Sequence, residues 1–274
     1  MTVPTIELHD GVAIPQLGFG VFQVPPEDTE KVTAQALETG YRHIDTARAY
    51  RNERGVGAAI AASGPDRDDV FVTTKLWNDD QGADNAERAF DASLERLGLD
   101  AVDLYLIHWP APQRDLYVET WKVLEKLRAD GRARSIGVSN FRLEDLQRFL
   151  DLGLTVPSVN QIELHPYLTQ PELREFHAAH EIATEAWSPL AQGAVLDDPV
   201  ILDVAEHHDA TAAQVVLAWH LALGNVVIPK SVTPGRIEEN FAATSITLDD
   251  REVEAITALD RGERTGPDPA VFPG

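Results

Sequence analysis

The feature that most restricts the fold of this 274-residue sequence is a rhythm. Eight short runs rich in Val, Ile and Leu fall at 17–21, 41–45, 70–76, 102–108, 135–140, 159–164, 182–187 and 226–231. Between them lie stretches of 3.6-residue periodicity with helix punctuation. "PPEDTEKVTAQALETG" (25–40) opens on Pro and acids and stops at Gly40, and "NAERAFDASLERLG" (85–98) stops at Gly98. Strands separated by helices pair in parallel, so a (β/α)8 TIM barrel of the α/β class is the economical architecture. An open doubly wound sheet would carry G-x-G-x-x-G near its first strand. "GFGVFQ" (18–23) and "GVGAAI" (55–60) lack the third glycine and read as turn and packing glycines.

Four segments lie outside the eight units. "TIELHDGVAIP" (5–15) alternates around Asp10-Gly11, a two-residue hairpin signal. "DPVILDVAEHHD" (198–209) and "DDREVEAITALD" (249–260) predict two extra helices, and the Pro/Gly-rich tail "RGERTGPDPAVFPG" (261–274) is of the kind that folds back over a barrel mouth. No linker or repeat beyond the β/α unit is visible, and one domain over 1–274 is expected.

A net charge of −22 argues against nucleic acid or an anionic membrane as partner. No run of 18 apolar residues and no leader pattern is present, and Cys is absent. A cytoplasmic protein without disulfides or thiolate chemistry is the expectation. The chain has only five lysines, so a local cluster of positive charge in it needs a reason.

In such a barrel, catalytic groups sit at the C-terminal ends of the strands. Strand two ends at Asp45 with Tyr50 in its loop, strand three carries Lys75 and Trp77, and strand four ends at His108-Trp109. An ammonium within "VFVTTKLW" is costly without a carboxylate, which Asp45 can supply. A structural ion pair would explain those two residues alone. A phenol beside that ammonium should become a better proton donor, and His108 could bond a substrate oxygen next to it. Hydride must come from elsewhere. "IPKSVTPGRIEENF" (228–241) gathers Lys230, Ser231 and Arg236 where a strand gives way to a helix, an anion site suited to the extra phosphate of NADP. Arg236 could instead pair with Glu239 on its own helix.

The segments "GYRHIDTARAYRNERGVG" (40–57), "RSIGVSNF" (134–141) and "IPKSVTPGRIEENF", with "TTKLW" and "LIHWP", resemble the signature regions of the aldo-keto reductases. The N-terminal stretch and "VNQIELHPY" most resemble the bacterial 2,5-diketo-D-gluconic acid reductase branch. The resemblance implies Tyr50 as general acid, Asp45 and Lys75 as its tuning pair, and His108 as the group orienting the carbonyl. It implies that Ser139, Asn140 and Gln161 hold the nicotinamide carboxamide and that Trp187 stacks on the ring, where most members have Tyr. Ser188, Leu190 and Gln192 would cover the pyrophosphate. Lys230, Ser231, Arg236, Glu239 and Asn240 would grip the 2′-phosphate and adenine, and Phe22, Trp77 and Trp109 would wall the substrate. Without the resemblance, Asn140 would read as a helix cap, and the tail does not match those relatives.

The expectation is therefore an NADPH-dependent oxidoreductase, with NADH a weaker alternative, reducing aldehydes or ketones such as diketo-sugar acids or small dicarbonyls. It is expected to be monomeric, with no metal. Two other readings compete. One is a non-catalytic nucleotide-binding regulatory protein of the same fold. The other is a metal-dependent hydrolase using His108, His165 and acids, for which the closely spaced histidine ligands of such sites are missing.

Overall fold

The structure, a computed structural model, describes residues 3–272. Strands β1 (Thr5–Glu7) and β2 (Ala13–Pro15) pair antiparallel. Leu8 N–H bonds Val12 O at 2.9 Å and Gly11 N–H bonds Leu8 O at 2.8 Å, so the loop is the three residues His9 to Gly11 rather than two. Gly11 has φ +83°. That is a turn closed by a left-handed residue, the usual three-residue solution, and Asp-Gly serves either length.

Eight parallel strands follow: β3 (Phe19–Gly20), β4 (His43–Asp45), β5 (Phe71–Leu76), β6 (Val102–Ile107), β7 (Ala133–Ser139), β8 (Val159–Glu163), β9 (Ala183–Trp187) and β10 (Val226–Val227). Each pairs with its chain neighbour. A parallel bridge between Leu17 and Val227, with Gly18 N–H to Val227 O at 2.9 Å and Val227 N–H to Gln16 O at 2.8 Å, joins the last to the first. The sheet is thereby closed. Both strands at this seam are only two residues long, shorter than the runs at 17–21 and 226–231 suggest. Packing at the seam requires glycine: a Cβ on Gly18 would stand 2.6 Å from His43 Nδ1.

The helices are α1 (Pro26–Thr39), α2 (Glu53–Ala62), α3 (Ala83–Leu97), α4 (Tyr117–Ala129), α5 (Leu143–Asp151), α6 (Pro171–Ala179), α7 (Pro199–His207), α8 (Ala212–Ala222), α9 (Pro234–Ala242) and α10 (Asp250–Thr257). Of these, α7 and α10 are the two extra ones. The α1 helix stops at Gly40 (φ +124°) and α3 at Gly98 (φ +68°), where a side chain would be strained. Gly57 is a packing glycine, its position lying so near the Leu97 carbonyl that a Cβ would stand 2.0 Å from the oxygen. Among the described residues no helix is long and apolar enough to cross a membrane.

Strand alternation sorts the core into two layers. On β6, Tyr105 and Ile107 join the large cluster under the helices, whereas Leu104 and Leu106 join Leu8, Ile14, Phe71, Val159 and Val226 inside the barrel. Ile14 and Leu8 come from the hairpin, which stoppers the N-terminal end. Its turn is fixed there by Asp10 Oδ2, which accepts from Ser135 Oγ at 2.8 Å and Ser158 Oγ at 2.7 Å. The inward positions toward the C-terminal ends are polar instead, and they form the site.

Candidate active site

Asp45 is the last residue of β4, two positions beyond His43 and on the same inward face; Lys75 stands likewise two positions beyond Thr73 on β5. Lys75 Nζ donates to both Asp45 oxygens, at 2.6 and 2.7 Å, to the Thr46 carbonyl at 3.0 Å and to the Tyr50 hydroxyl at 3.4 Å. Lys75 is fully buried. Burial opposes its charge, but Asp45, Tyr50 and Glu185 together hold the ammonium pKa above its usual value.

Tyr50 ends a short 3-10 turn, Arg48–Tyr50, in the loop after β4. Burial pushes its hydroxyl up to about 12, with Lys75 pulling it the other way. The expectation of a phenol made more acidic than normal is therefore corrected: the ammonium lowers an acidity barrier that burial raises more. His108 follows β6, and its ring meets Tyr50 edge-on at 5.6 Å and Trp77 at 5.2 Å. Burial, and secondarily Lys75, hold its imidazole well below the ordinary range, so the ring is neutral. The site thus presents a phenol and a neutral imidazole side by side over a buried cation, an arrangement able to protonate one oxygen and orient it.

The polar residues at the ends of β7 and β8 are buried. Ser139 Oγ donates to Gln161 O at 2.9 Å, and Asn140 Nδ2 donates to His108 O and Ser139 Oγ, both at 3.0 Å. Asn140 (φ +63°) is not the cap of α5; Arg142 occupies that position, its backbone bonded by Asp145. Asn140 Oδ1 instead accepts from Trp187 Nε1 at 2.8 Å, which fixes the half-buried indole at the end of β9. Gln161 turns inward and donates to Asp45 Oδ2 at 2.9 Å. That bond supports the ion pair.

Ser188 (φ +47°) and Gln192 (φ +54°) lie in the loop after β9, with Leu190 packed partly against the core. Gln192 Nε2 reaches the Thr265 carbonyl at 3.3 Å. Lys230 and Arg236 are exposed before and within the first turn of α9, beside buried Ser231 and Asn240. Glu239 does not take Arg236 as partner; its Oε1 accepts from Thr211 Oγ1 at 2.8 Å.

The tail does lie over the mouth. Glu163 Oε1, at the end of β8, accepts from Thr265 N–H at 2.5 Å, Thr265 Oγ1 at 2.7 Å and Gly266 N–H at 3.0 Å. Phe272 packs on Trp109 at 4.3 Å and faces Trp77 at 6.4 Å. Phe22, 54 % exposed, tilts against Tyr50 at 5.1 Å. Phe22 thus lies against the phenol, and Trp77 and Trp109 lie beside the imidazole, the latter with its ring centroid at 6.4 Å.

Two residues were missed in the sequence. Phe272 had no signal, being one aromatic in an unmatched tail. Glu185 had one: a charge in the apolar run "IATEAW", the same cue that singled out Lys75. It is fully buried on β9, with Oε1 3.8 Å from His43 Nε2, and burial, with Asp45 adding, pushes its carboxyl up to about 8. His165, the other histidine of the hydrolase reading, pairs with Glu163 at 3.2 Å and does not meet His108 in a cluster of metal-type donors.

Residues 16–261 match the aldo/keto reductase family. The chain is 56 % identical over 272 residues to an aldo-keto reductase of Mycobacterium sp. (strain KMS), covering 99 % of each. It is 50 % identical over 277 residues to methylglyoxal reductase DkgA of Escherichia coli K12, covering 100 % of each. Among solved structures it is similar to an aldo/keto reductase from Brucella melitensis, with TM-score 0.92 and 55 % identity over 95 % of this chain and 99 % of that one. It is also similar to a mutant of Gox0644 in complex with NADPH, with TM-score 0.95 and 48 % identity over 99 % of each. With the family match covering most of its length and relatives identical at more than half of their positions, this chain belongs to the aldo/keto reductase family.

Proposed function

We propose that this oxidoreductase uses NADPH to reduce small aldehydes and ketones, dicarbonyls of the methylglyoxal type and diketo-sugar acids foremost, with Tyr50 as the proton donor. The observation that carries the reading is the single hydrogen-bonded line from Asp45 through Lys75 to Tyr50, with His108 beside the phenol. The residues present fit the cofactor. The Trp187 indole is a flat, hydrogen-bonded surface for an aromatic ring, and exposed Lys230 and Arg236 stand at the start of α9, where an anion is favoured. The similar Gox0644 mutant binds NADPH, and the similar DkgA proteins reduce methylglyoxal.

When bound, the reduced nicotinamide supplies hydride to the carbonyl carbon. The chain's own residues do the rest. The neutral His108 imidazole and the Tyr50 hydroxyl hold the carbonyl oxygen, so negative charge develops next to the Lys75 ammonium. Tyr50 then releases its proton to that oxygen, and Lys75, anchored by Asp45, stabilises the phenolate left behind. In this reading Ser139, Asn140 and Gln161 bond the carboxamide, and Ser188, Leu190 and Gln192 cover the pyrophosphate. In this reading Lys230, Ser231, Arg236, Glu239 and Asn240 meet the adenosine end. Gln161 also donates to Asp45 and so ties the carboxamide-binding residues to the ion pair.

We read the chain as one barrel domain over 1–274, a cytoplasmic monomer without nucleic-acid partners, its net charge of −22 repelling polyanions. Oxidation of NADPH with methylglyoxal, a diketo-sugar acid and an aromatic aldehyde tests the function. Turnover with at least one of them, lost in Tyr50→Phe, supports it; binding of NADPH without turnover of any carbonyl would favour the non-catalytic reading.

A further inference from the structure

The end of α7 meets the start of α10. There the structure brings His207, His208 and Glu252 together, each offering one metal-type donor atom, all within 4.8 Å of one another. We propose that these three residues form a binding site for one divalent transition metal of the zinc type, which ties α7 to α10.

The local structure places each donor. His207 ends α7 and His208 is its cap, with φ −95° and ψ 3°, so the chain turns there and two successive imidazoles point the same way; their centroids are 4.9 Å apart. His207 Nδ1 lies 2.7 Å from Glu252 Oε1 and His208 Nε2 lies 2.9 Å from Oε2. Glu252 is preset by its own capping box, Oε2 accepting from Asp249 N–H at 2.9 Å while Asp249 caps the first turn of α10. His208 and Glu252 are only 21 % and 12 % exposed, whereas His207 is 71 % exposed. One side of the cluster therefore faces solvent, which leaves an entry path and a place for water as a fourth ligand.

The chemistry selects the metal. Two imidazoles and one carboxylate suit zinc, nickel or copper, whereas magnesium and calcium prefer oxygen donors. Ligands about 2.0–2.2 Å from a tetrahedral metal stand about 3.3 Å apart, a small opening from the present spacing. The surroundings favour a cation. The carbonyl end of α7 carries partial negative charge, and Asp203 and Asp249 both act on His207. Among the described residues, Glu252 has ion-pair contacts with these two imidazoles and with no lysine or arginine. This site is unrelated to the hydride chemistry, and it departs from the expectation of a chain without metal.

The test uses the untagged full chain, treated with chelator and dialysed, and titrated calorimetrically with zinc chloride and, separately, magnesium chloride. The expected result is saturable uptake of one zinc per chain, a rise in melting temperature with zinc, and no comparable response to magnesium. In His207→Ala and in Glu252→Gln both responses should be lost, while NADPH-dependent reduction and the far-ultraviolet circular dichroism stay as in the wild type. Absence of saturable zinc uptake, uptake that persists in both variants, or equal binding of magnesium would overturn the proposal.

Discussion

Lys75 holds both carboxylate oxygens of Asp45, at 2.6 and 2.7 Å, with no part of the lysine open to solvent. Removing one partner of such a pair leaves an uncompensated charge in the interior. Asp45→Asn should therefore lower stability by about 3–5 kcal/mol, and Lys75→Met, which removes the cation together with its tail's polar head, should disturb turnover too. Urea unfolding of Asp45→Asn reads the first effect; an unchanged midpoint would show the pair to be energetically idle.

Tyr50→Phe keeps the ring contacts with Phe22 and His108 and removes only the hydroxyl. Turnover should fall about 10²- to 10⁴-fold, the range expected for a lost general acid. Cofactor affinity, followed by quenching of tryptophan fluorescence, should stay within a factor of about 2, since no cofactor-grip residue is touched. Equal losses in both would remove Tyr50 from its assigned role.

Lys230→Ala and Arg236→Ala should each weaken NADPH far more than NADH. A hydrogen bond to a charged group contributes about 1.5–3 kcal/mol, or roughly 10- to 150-fold in the NADPH KM. Parallel rises for both cofactors would mean that these cations do not face the extra phosphate.

Stability should peak near pH 6.5. Burial lowers His43, His177 and His220 to about 3 each. In an unfolded chain they take up protons from about pH 6.5 downward, which the folded chain refuses, so their contribution to stability is lost as pH falls from that value toward 3. Glu185 acts oppositely. With its folded carboxyl raised to about 8 by burial and Asp45, the folded state keeps a proton that the unfolded state gives up above about 4.5, so stability declines from there to pH 8. Below 6.5 these histidines, with His108 held low in the same way by burial, outweigh one acid; above it the Glu185 decline remains, and His207, raised by its bond to Glu252, acts in the same direction. Melting temperatures across pH 5–9 check this, and a Glu185→Gln variant should flatten the alkaline side.

Phe272→Ala should raise the KM for aromatic aldehydes while leaving the KM for methylglyoxal nearly unchanged, because only a large substrate reaches the wall that Phe272 makes with Trp109 and Trp77. Steady-state kinetics on both substrates decide it. A shift of both together would assign the tail to the cofactor instead.

Much of this was legible in the sequence for identifiable reasons. The eight parallel strands, both extra helices and the stops at Gly40 and Gly98 follow from periodicity and backbone freedom, which are local properties. Lys75 stood out because charge in an apolar run demands a partner. What escaped was decided by tertiary contact. Asp-Gly suits hairpins of two lengths, and only the pairing of Leu8 with Val12 selects three residues. The net acidity of Tyr50 depends on how deeply the fold buries it against how near it brings Lys75. Gln161 could serve a ligand or Asp45 with the same amide, and Phe272 gains a role only where the tail comes to rest.

The hairpin fastened by Asp10 to Ser135 and Ser158 makes the barrel a cup with a sealed base. Everything that enters such a vessel must leave by the rim it came in through.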